Sequence, residues 1–233
     1  MNLGGIAKTT LLDFPGRLAC VLFTQGCTYD CFYCHNRELI GFGEGPVLFS
    51  EALSFLEKRV GLLEGVVFSG GEPTLQKDLI SSIQMVHALG FAIKLDTNGC
   101  SPSLLATLLD LDLLSYVALD VKAPSVRYRE ICGQHADPDT VRQSLSLLAR
   151  KKEDFPSFMY EVRTTLAPTI GKEDLISIAQ AMPVVPLWRI NSYRKPPLYK
   201  EEDAFRIHAG QPLQAEVDSW KQELKLLQPN LIL

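Results

Sequence analysis

Six short apolar runs, each followed by a segment with helical periodicity, limit the fold of this 233-residue chain more than any other feature. The runs are bounded by turn residues or charges, as buried strands are. They cover residues 18–24, 65–69, 91–96, 116–121, 159–166 and 188–192. Strands that alternate with helices predict a parallel sheet and an α/β fold. The pattern fits both an open doubly wound sheet and an incomplete (β/α)6 TIM-like barrel with outer helices.

Capping residues and apolar stripes predict where the helices lie. Ser50 is expected to cap the first helix, and Asp137 to cap a later helix that has Pro138 at its first position. Residues 193–212 are polar and contain three prolines, which predicts a loop. An apolar stripe near the end predicts a last helix. We therefore expect a single domain over residues 1–233, with its core at 16–192 and a C-terminal loop and helix at 193–233.

Charge and hydropathy argue against two classes of partner. The formal net charge is −4, whereas nucleic-acid-binding domains carry a basic face, so nucleic acid is not an expected partner. No apolar run has the length that spans a bilayer. Residues 1–10 lack the apolar core and cleavage site of a secretory signal. We expect a cytoplasmic protein that does not bind a membrane.

Polar and glycine-rich residues follow the predicted strands at the points where the strands end. The carboxyl ends of parallel strands meet at one edge of a sheet, and ligands bind there. We therefore expect these residues to form one binding site. They are Cys27, Cys31 and Cys34 after the first strand, Gly70, Gly71 and Glu72 after the second, Asp96, Thr97 and Asn98 at the third, Asp120 and Lys122 at the fourth, and Arg163 in the fifth.

The cysteine spacing indicates a metal centre. Cys27, Cys31 and Cys34 follow the pattern CxxxCxxC, and three thiolates on a compact loop can bind three corners of a [4Fe–4S] cube. No fourth cysteine lies nearby, so one iron would stay open to a small ligand, as in catalytic metal sites. A zinc site completed by His35 and a set of three inert cysteines are the alternatives. A single zinc ion suits adjacent ligands such as Cys34 and His35 poorly.

These motifs resemble the radical S-adenosylmethionine superfamily. The CxxxCxxC loop with Tyr33 before its last cysteine, and Gly70-Gly71-Glu72 after the second strand, carry this resemblance. Further motifs are similar to the activating protein of anaerobic ribonucleoside-triphosphate reductase, a glycyl-radical enzyme activase. They are Asp13-Phe14-Pro15-Gly16, Phe23-Thr24-Gln25-Gly26-Cys27, Tyr33-Cys34-His35-Asn36, Asp120-Val121-Lys122-Ala123-Pro124 and Arg163-Thr164-Thr165. Thr28 and Asp30 depart from the family pattern, in which many relatives have Asn and a basic residue.

The resemblance implies a cofactor and a reaction. One [4Fe–4S] cluster would bind S-adenosylmethionine at its open iron and cleave it reductively to a 5′-deoxyadenosyl radical. We expect the ligand to contact Tyr33, His35, Gly70, Gly71, Glu72, Asn98, Lys122 and Arg163. The resemblance also implies a monovalent cation held by Asp96, Thr97 and Asp120, because hard oxygen ligands suit such an ion. A structural Asp–Lys pair at a strand end is the alternative for those residues.

The implied partners are a glycyl-radical enzyme, here anaerobic ribonucleoside-triphosphate reductase, and a low-potential electron donor. In this hypothesis the radical abstracts a hydrogen from a glycine of the reductase. A radical enzyme acting on a small molecule, similar to 7-carboxy-7-deazaguanine synthase, is the second hypothesis. A non-catalytic zinc protein is the third.

Overall fold

A computed structural model describes residues 1–233, and one nine-stranded sheet runs through it. The strand order is β3-β1-β2-β4-β5-β6-β7-β8-β9. The strands are β1 (Asn2–Thr10), β2 (Ala19–Thr24), β3 (Val47–Leu48), β4 (Gly65–Gly70), β5 (Ala92–Thr97), β6 (Tyr116–Asp120), β7 (Met159–Leu166), β8 (Trp188–Ser192) and β9 (Leu231–Ile232).

The six predicted strands are β2 and β4 to β8, and they lie side by side in chain order. Every neighbouring pair among them is parallel. A doubly wound sheet reverses its strand order at a switch point, whereas a barrel does not. The order here is uninterrupted and the sheet ends at β3 and β9 without closing. The incomplete (β/α)6 barrel is therefore confirmed.

Two edges of the sheet were not predicted. On one side β1 pairs antiparallel with β2, and the two-residue β3 pairs with the first residues of β1. On the other side the two-residue β9 adds to β8 in parallel. These edge strands are held by backbone hydrogen bonds, which place few requirements on residue type, so the amino-acid pattern does not identify them.

The helices occupy the connections between the parallel strands and the C-terminal segment. They are α1 (Phe49–Glu57), α2 (Leu79–Ala88), α3 (Pro102–Asp110), α4 (Tyr128–Cys132), α5 (Pro138–Asp154), α6 (Lys172–Ala181), α7 (Ala204–His208) and α8 (Gln214–Leu227). Asp137 caps α5 as predicted, accepting a hydrogen bond from the Asp139 amide at 3.0 Å. None of these helices combines the length and the apolar character that crossing a bilayer requires.

Two helix predictions were wrong. Ser50 does not cap α1: the cap position is Leu48, which supplies no side-chain hydrogen bond, and Ser50 lies inside the helix. Residues 193–212 are not all loop either, since a short 3-10 helix at Glu201–Asp203 leads directly into α7. Although the segment is mostly polar, Ile207 of α7 is buried and packs in the hydrophobic core, which holds the helix against the domain.

The two faces of the sheet differ at β5 and β7. Outward-facing residues of the strands, such as Leu22, Phe68 and Leu95, join the apolar core beneath the helices. The residues between them point into the half-barrel, because side chains alternate along a strand. In β5 and β7 these inward positions hold charged residues, Lys94, Asp96, Glu161 and Arg163. The half-barrel therefore encloses these charged residues next to a small apolar cluster that includes Val21, Val67 and Tyr116.

The C-terminal segment returns to the cysteine loop. Lys200 forms an ion pair with Asp30, between the first two cysteines of the loop. The Arg206 guanidinium lies 4.4 Å from the ring centroid of Phe32 and donates a hydrogen bond to the Glu130 carbonyl at 2.9 Å. The loop is thus held on its outer side by residues that are distant in sequence.

Candidate active site

A cavity of about 350 Å³ lies at the carboxyl ends of the parallel strands, and every predicted site residue lines it. Residues that follow five different strands meet there, as the strand-end argument requires. The predicted members are Cys27, Cys31, Tyr33, Cys34, His35, Gly70, Gly71, Glu72, Asp96, Thr97, Asn98, Asp120, Lys122 and Arg163.

The backbone fixes the cysteine loop at several points. The Cys27 amide donates to the Ile40 carbonyl at 3.0 Å, and the Cys34 amide donates to the Cys31 carbonyl at 3.0 Å. The end of α4 holds the middle of the loop, since the Asp30 amide donates to the Cys132 carbonyl at 2.9 Å. The three thiols are therefore presented to the cavity by a supported turn.

The thiols suit a cluster with an open corner. All six cysteines are free, and Cys20, Cys100 and Cys132 do not line the cavity. No three side chains of His, Cys, Asp or Glu converge closely enough to hold one metal ion. A tetrahedral zinc ion needs ligands that converge on one point, whereas the irons of a cube lie at separate corners. Three thiols around one cavity therefore fit the cube better than they fit zinc.

The thiols are protonated before a metal binds. Burial raises the pKa of Cys34, and burial together with the Glu72 charge raises the pKa of Cys27. A hydrogen bond with the Cys132 thiol, followed by burial, raises the pKa of Cys31. Metal ligation requires thiolates, so assembly of a cluster here must release protons.

Tyr33 offers a polar atom without a partner. Its side chain is buried, its ring packs edge-on against Phe32 with centroids 5.2 Å apart, and its hydroxyl makes no hydrogen bond. Buried hydroxyls are normally paired, and an unpaired one often marks the place of a ligand. Because Tyr33 lines the cavity, this hydroxyl fits a polar group of a bound molecule.

Glu72 is a buried carboxylate that joins the ends of two strands. It accepts hydrogen bonds from the Thr74 amide and hydroxyl at 3.0 and 2.6 Å, the Thr97 hydroxyl at 2.7 Å and the Asn98 amide at 2.7 Å. Burial raises its pKa, and these donors act in the opposite direction. Asn98 also points its side-chain amide at the Cys27 sulfur, 3.8 Å away. Glu72 therefore positions Asn98, whose side chain contacts the Cys27 thiol.

The Gly-Gly pair lies where two chain segments come unusually close. A Cβ on Gly71 would lie 2.3 Å from the Gly26 carbonyl oxygen. Gly70 has a φ of +110°, and a Cβ there would lie 2.4 Å from the Thr24 amide nitrogen. No larger residue fits at either position, so the pair fixes the distance between the cysteine loop and β4.

Replacement of Gly70 by alanine should destabilise the cluster-free protein by about 3 kcal/mol, because it adds a backbone collision to an unfavourable φ. Gly90 is the matched control, since its φ is +91° and no atom lies within 4 Å of an added Cβ. Gly90→Ala should cost only about 1 kcal/mol. Urea denaturation measures both changes, and equal losses would contradict the close-contact explanation.

A network of charged groups forms one wall of the cavity, since Asp96, Asp120, Lys122 and Arg163 all line it. Arg163 bridges two carboxylates, donating to Asp120 at 2.9 Å and to Asp96 at 3.2 Å. Lys122 pairs with Asp120 at 2.9 Å, and the buried Lys94 pairs with Asp96. Burial alone raises the pKa of Asp120, but the charges of Arg163 and Lys122 outweigh it and lower the pKa to about 2. Asp120 is therefore ionised at neutral pH.

The oxygens expected to hold a monovalent cation are engaged by the chain itself. Both carboxylates have basic partners, and the Thr97 hydroxyl donates to Glu72 at 2.7 Å. The alternative of a structural Asp–Lys pair describes Asp120 and Lys122 as the structure has them. The residues present do not fit a bound cation.

Several cavity residues were not predicted as ligand contacts. They are Asp13, Phe23, Tyr29, Asn36, Ser69 and Thr165. Four of them, Asp13, Phe23, Asn36 and Thr165, belong to motifs that carry the family resemblance, so a signal was available. Lys94 was missed because it lies inside an otherwise apolar run, although Asp96 two residues later faces the same side of the strand.

Comparison with known sequences gives one family and several relatives. Residues 21–182 match the family described as the Radical SAM superfamily. A Methanocaldococcus jannaschii protein, assigned by its name to the glycyl-radical enzyme activating enzymes, is 30% identical over 203 residues, which are 85% of this chain and 82% of that protein. The pyruvate formate-lyase-activating enzyme of Staphylococcus epidermidis is 29% identical over 77% of this chain and 74% of its own.

Solved structures share the fold at low sequence identity. The enzyme anSMEcpe with bound AdoMet has a TM-score of 0.60 and 17% identity, over 89% of this chain and 60% of its own. A TYW1 structure with a lysine-pyruvate adduct has a TM-score of 0.61 and 17% identity, over 90% of this chain and 74% of its own. At such identities the likeness supports the architecture alone.

Proposed function

Because the chain belongs to the radical S-adenosylmethionine superfamily, and within it to the glycyl-radical enzyme activating enzymes, we propose that it generates a glycyl radical on a partner protein. The observation that carries this proposal is the set of three thiols around one cavity, with no fourth cysteine lining it. That donor set leaves one corner of a cube available for a small ligand.

Cys27, Cys31 and Cys34 would hold the [4Fe–4S] cluster. Together with S-adenosylmethionine, the bound cluster supplies one-electron reductive cleavage of a sulfonium bond and thus a radical able to abstract hydrogen. The reaction needs a low-potential electron donor. The chain's own residues bind and orient the reactants and keep water away from them.

The charged residues of the cavity and its aromatic residues suit different parts of the ligand. Lys122 and Arg163 face the cavity with positive charge and suit the carboxylate of an amino acid ligand. Tyr33 and His35 supply ring surface at the cysteine side. The expected contact between Glu72 and the ligand's ammonium group stays a prediction, since both of its oxygens already accept hydrogen bonds within the chain.

For the partner we propose anaerobic ribonucleoside-triphosphate reductase. The support is the similarity of the motifs around Asp13, the cysteine loop and Lys122 to the activating protein of that reductase. The relatives found by comparison include activating enzymes of another glycyl-radical enzyme, pyruvate formate-lyase. The reductase is therefore the finer part of the proposal and needs its own test.

Electron paramagnetic resonance tests the proposal directly. The reduced, cluster-loaded protein is mixed anaerobically with S-adenosylmethionine and the reductase, and a glycyl radical signal is expected on the reductase. A reductase with alanine in place of its radical glycine is the control. A signal with pyruvate formate-lyase but none with the reductase would overturn the choice of partner. Cleavage of S-adenosylmethionine without a radical on either protein would overturn the activase function.

A further inference from the structure

The two aspartates at the strand ends already have a cationic partner on every carboxylate oxygen. Asp96 contacts the Lys94 ammonium through Oδ1 and Arg163 through Oδ2. Asp120 contacts Arg163 through Oδ1 and Lys122 through Oδ2, both at 2.9 Å. A monovalent cation that used any of these oxygens would therefore lie directly beside a lysine or arginine that already contacts the same oxygen.

We propose that Lys94 takes the place of a monovalent cation, so that ligand binding and cleavage in this enzyme require no added K⁺ or Na⁺. Its side-chain nitrogen contacts Asp96 and occupies the position at that carboxylate that a cation would otherwise take. Lys94 is a positioning residue, because it acts on the ligand through Asp96 and Arg163. The proposal rests on the proposed cleavage of S-adenosylmethionine, although it does not depend on the identity of the protein partner.

The location of Lys94 makes this charge a fixed part of the site. Lys94 lies in the middle of β5, between β4 and β6, and only 1% of its surface is exposed. Its ammonium lies 5.7 Å from the ring centroid of Tyr116 on the neighbouring strand. An ammonium group buried this deeply is stable only when it is paired, and Asp96 is its ion-pair partner.

The charge balance of the network also argues against a further cation. The mutually contacting groups are two carboxylates, Asp96 and Asp120, and three cations, Lys94, Lys122 and Arg163. The network therefore carries one excess positive charge, which suits the carboxylate of the ligand. A bound metal cation would double that excess in a partly buried site, where like charges repel strongly.

The first test compares wild-type protein in KCl, NaCl and choline chloride at equal ionic strength. The full, anaerobically reconstituted chain is reduced, and 5′-deoxyadenosine formed from S-adenosylmethionine is measured without any protein partner. We expect rates that agree within about twofold among the three salts. A rate about tenfold higher in KCl or NaCl than in choline chloride would overturn the proposal.

The second test removes the ammonium group. Lys94→Met should lower the rate at least about tenfold in choline chloride, because Asp96 loses its buried partner. NH₄⁺ or K⁺ should then restore much of the rate, since a small cation can enter the vacated position. Lys151→Met is the matched control: Lys151 also pairs with an aspartate and is largely buried, but it lies on α5 away from the cavity. Its rate should not respond to the choice of cation.

A stability measurement separates this effect from turnover. The melting temperature of Lys94→Met should rise in KCl relative to choline chloride, whereas those of wild type and Lys151→Met should not. Lys94→Arg keeps the charge, so its cleavage rate and melting temperature should stay independent of the added cation.

If Lys94→Met neither recovers activity nor gains stability in K⁺ or NH₄⁺, the proposal is wrong. If Lys94→Met does not fold, the salt series on wild type and Lys94→Arg decides. A missing glycyl radical on the partner leaves all these readouts intact and refutes only the activase function.

Discussion

Cys31→Ala should abolish both iron retention and cleavage of S-adenosylmethionine. Two thiols cannot hold a cube at three corners, so the reconstituted variant is expected to lose nearly all of its four irons per chain. Iron and sulfide analysis with visible absorption measures the first loss, and 5′-deoxyadenosine formation measures the second. The fold should persist, because the loop backbone is held by hydrogen bonds that do not involve the Cys31 side chain.

The neighbouring Cys132 makes a double variant necessary. Its thiol lies beside Cys31 and could bind iron in its absence. The double variant Cys31→Ala/Cys132→Ala removes that route. If Cys132 does not bind iron, the double variant should have the same iron content and cleavage rate as the single variant. Cys20→Ala is the control, since Cys20 is buried in β2 and outside the cavity. A folded double variant that binds four irons and cleaves S-adenosylmethionine would refute the assignment of the cluster ligands.

Glu72→Ala should destabilise the cluster-free protein by about 3 kcal/mol or more, because it leaves several buried donors without an acceptor. Those donors include the Thr74 and Asn98 amides and the Thr97 hydroxyl. Loss of the acceptor also frees the end of β5, so affinity for S-adenosylmethionine should fall together with stability. Urea denaturation gives the free energy of unfolding.

The matched control for Glu72 is another glutamate that accepts a backbone hydrogen bond. Glu64 accepts from the Leu18 amide at 2.9 Å, but its side chain lies at the surface. Glu64→Ala should cost less than about 1 kcal/mol. If the two substitutions had equal effects, Glu72 would not be the link between the ends of β4 and β5.

The sequence was sufficient for the parallel strands because each strand has apolar residues at the positions that face the helices, and β2 and β4 are apolar on both faces. All six predicted strands overlap observed ones, and the proline after Asp137 marked the start of α5 correctly. The edge strand β1 was not found, because Gly4, Gly5 and its threonines give no apolar alternation. Ser50 was misread as a cap because a serine inside the first turn of a helix looks the same in sequence as one before it.

For the site, strand ends identified which residues meet but not what each one contacts. Glu72 was expected to face the ligand, yet its contacts lie with Thr74, Thr97 and Asn98. The partner of a carboxylate depends on which donors the neighbouring strand brings to it, and a single sequence does not contain that register. The same reason explains Lys94, whose charge is acceptable inside the barrel only because Asp96 projects from the same face.

The return of the C-terminal segment to the cysteine loop has a consequence for biogenesis. Asp30 leaves the ribosome 170 residues before Lys200, its ion-pair partner, and Phe32 likewise precedes Arg206, which packs on its ring. The loop therefore reaches its final packing only after residues 200–206 have been synthesised. A nascent chain stalled before residue 200 would present its cysteines without that outer support, so a cluster inserted at that stage would meet a less constrained loop.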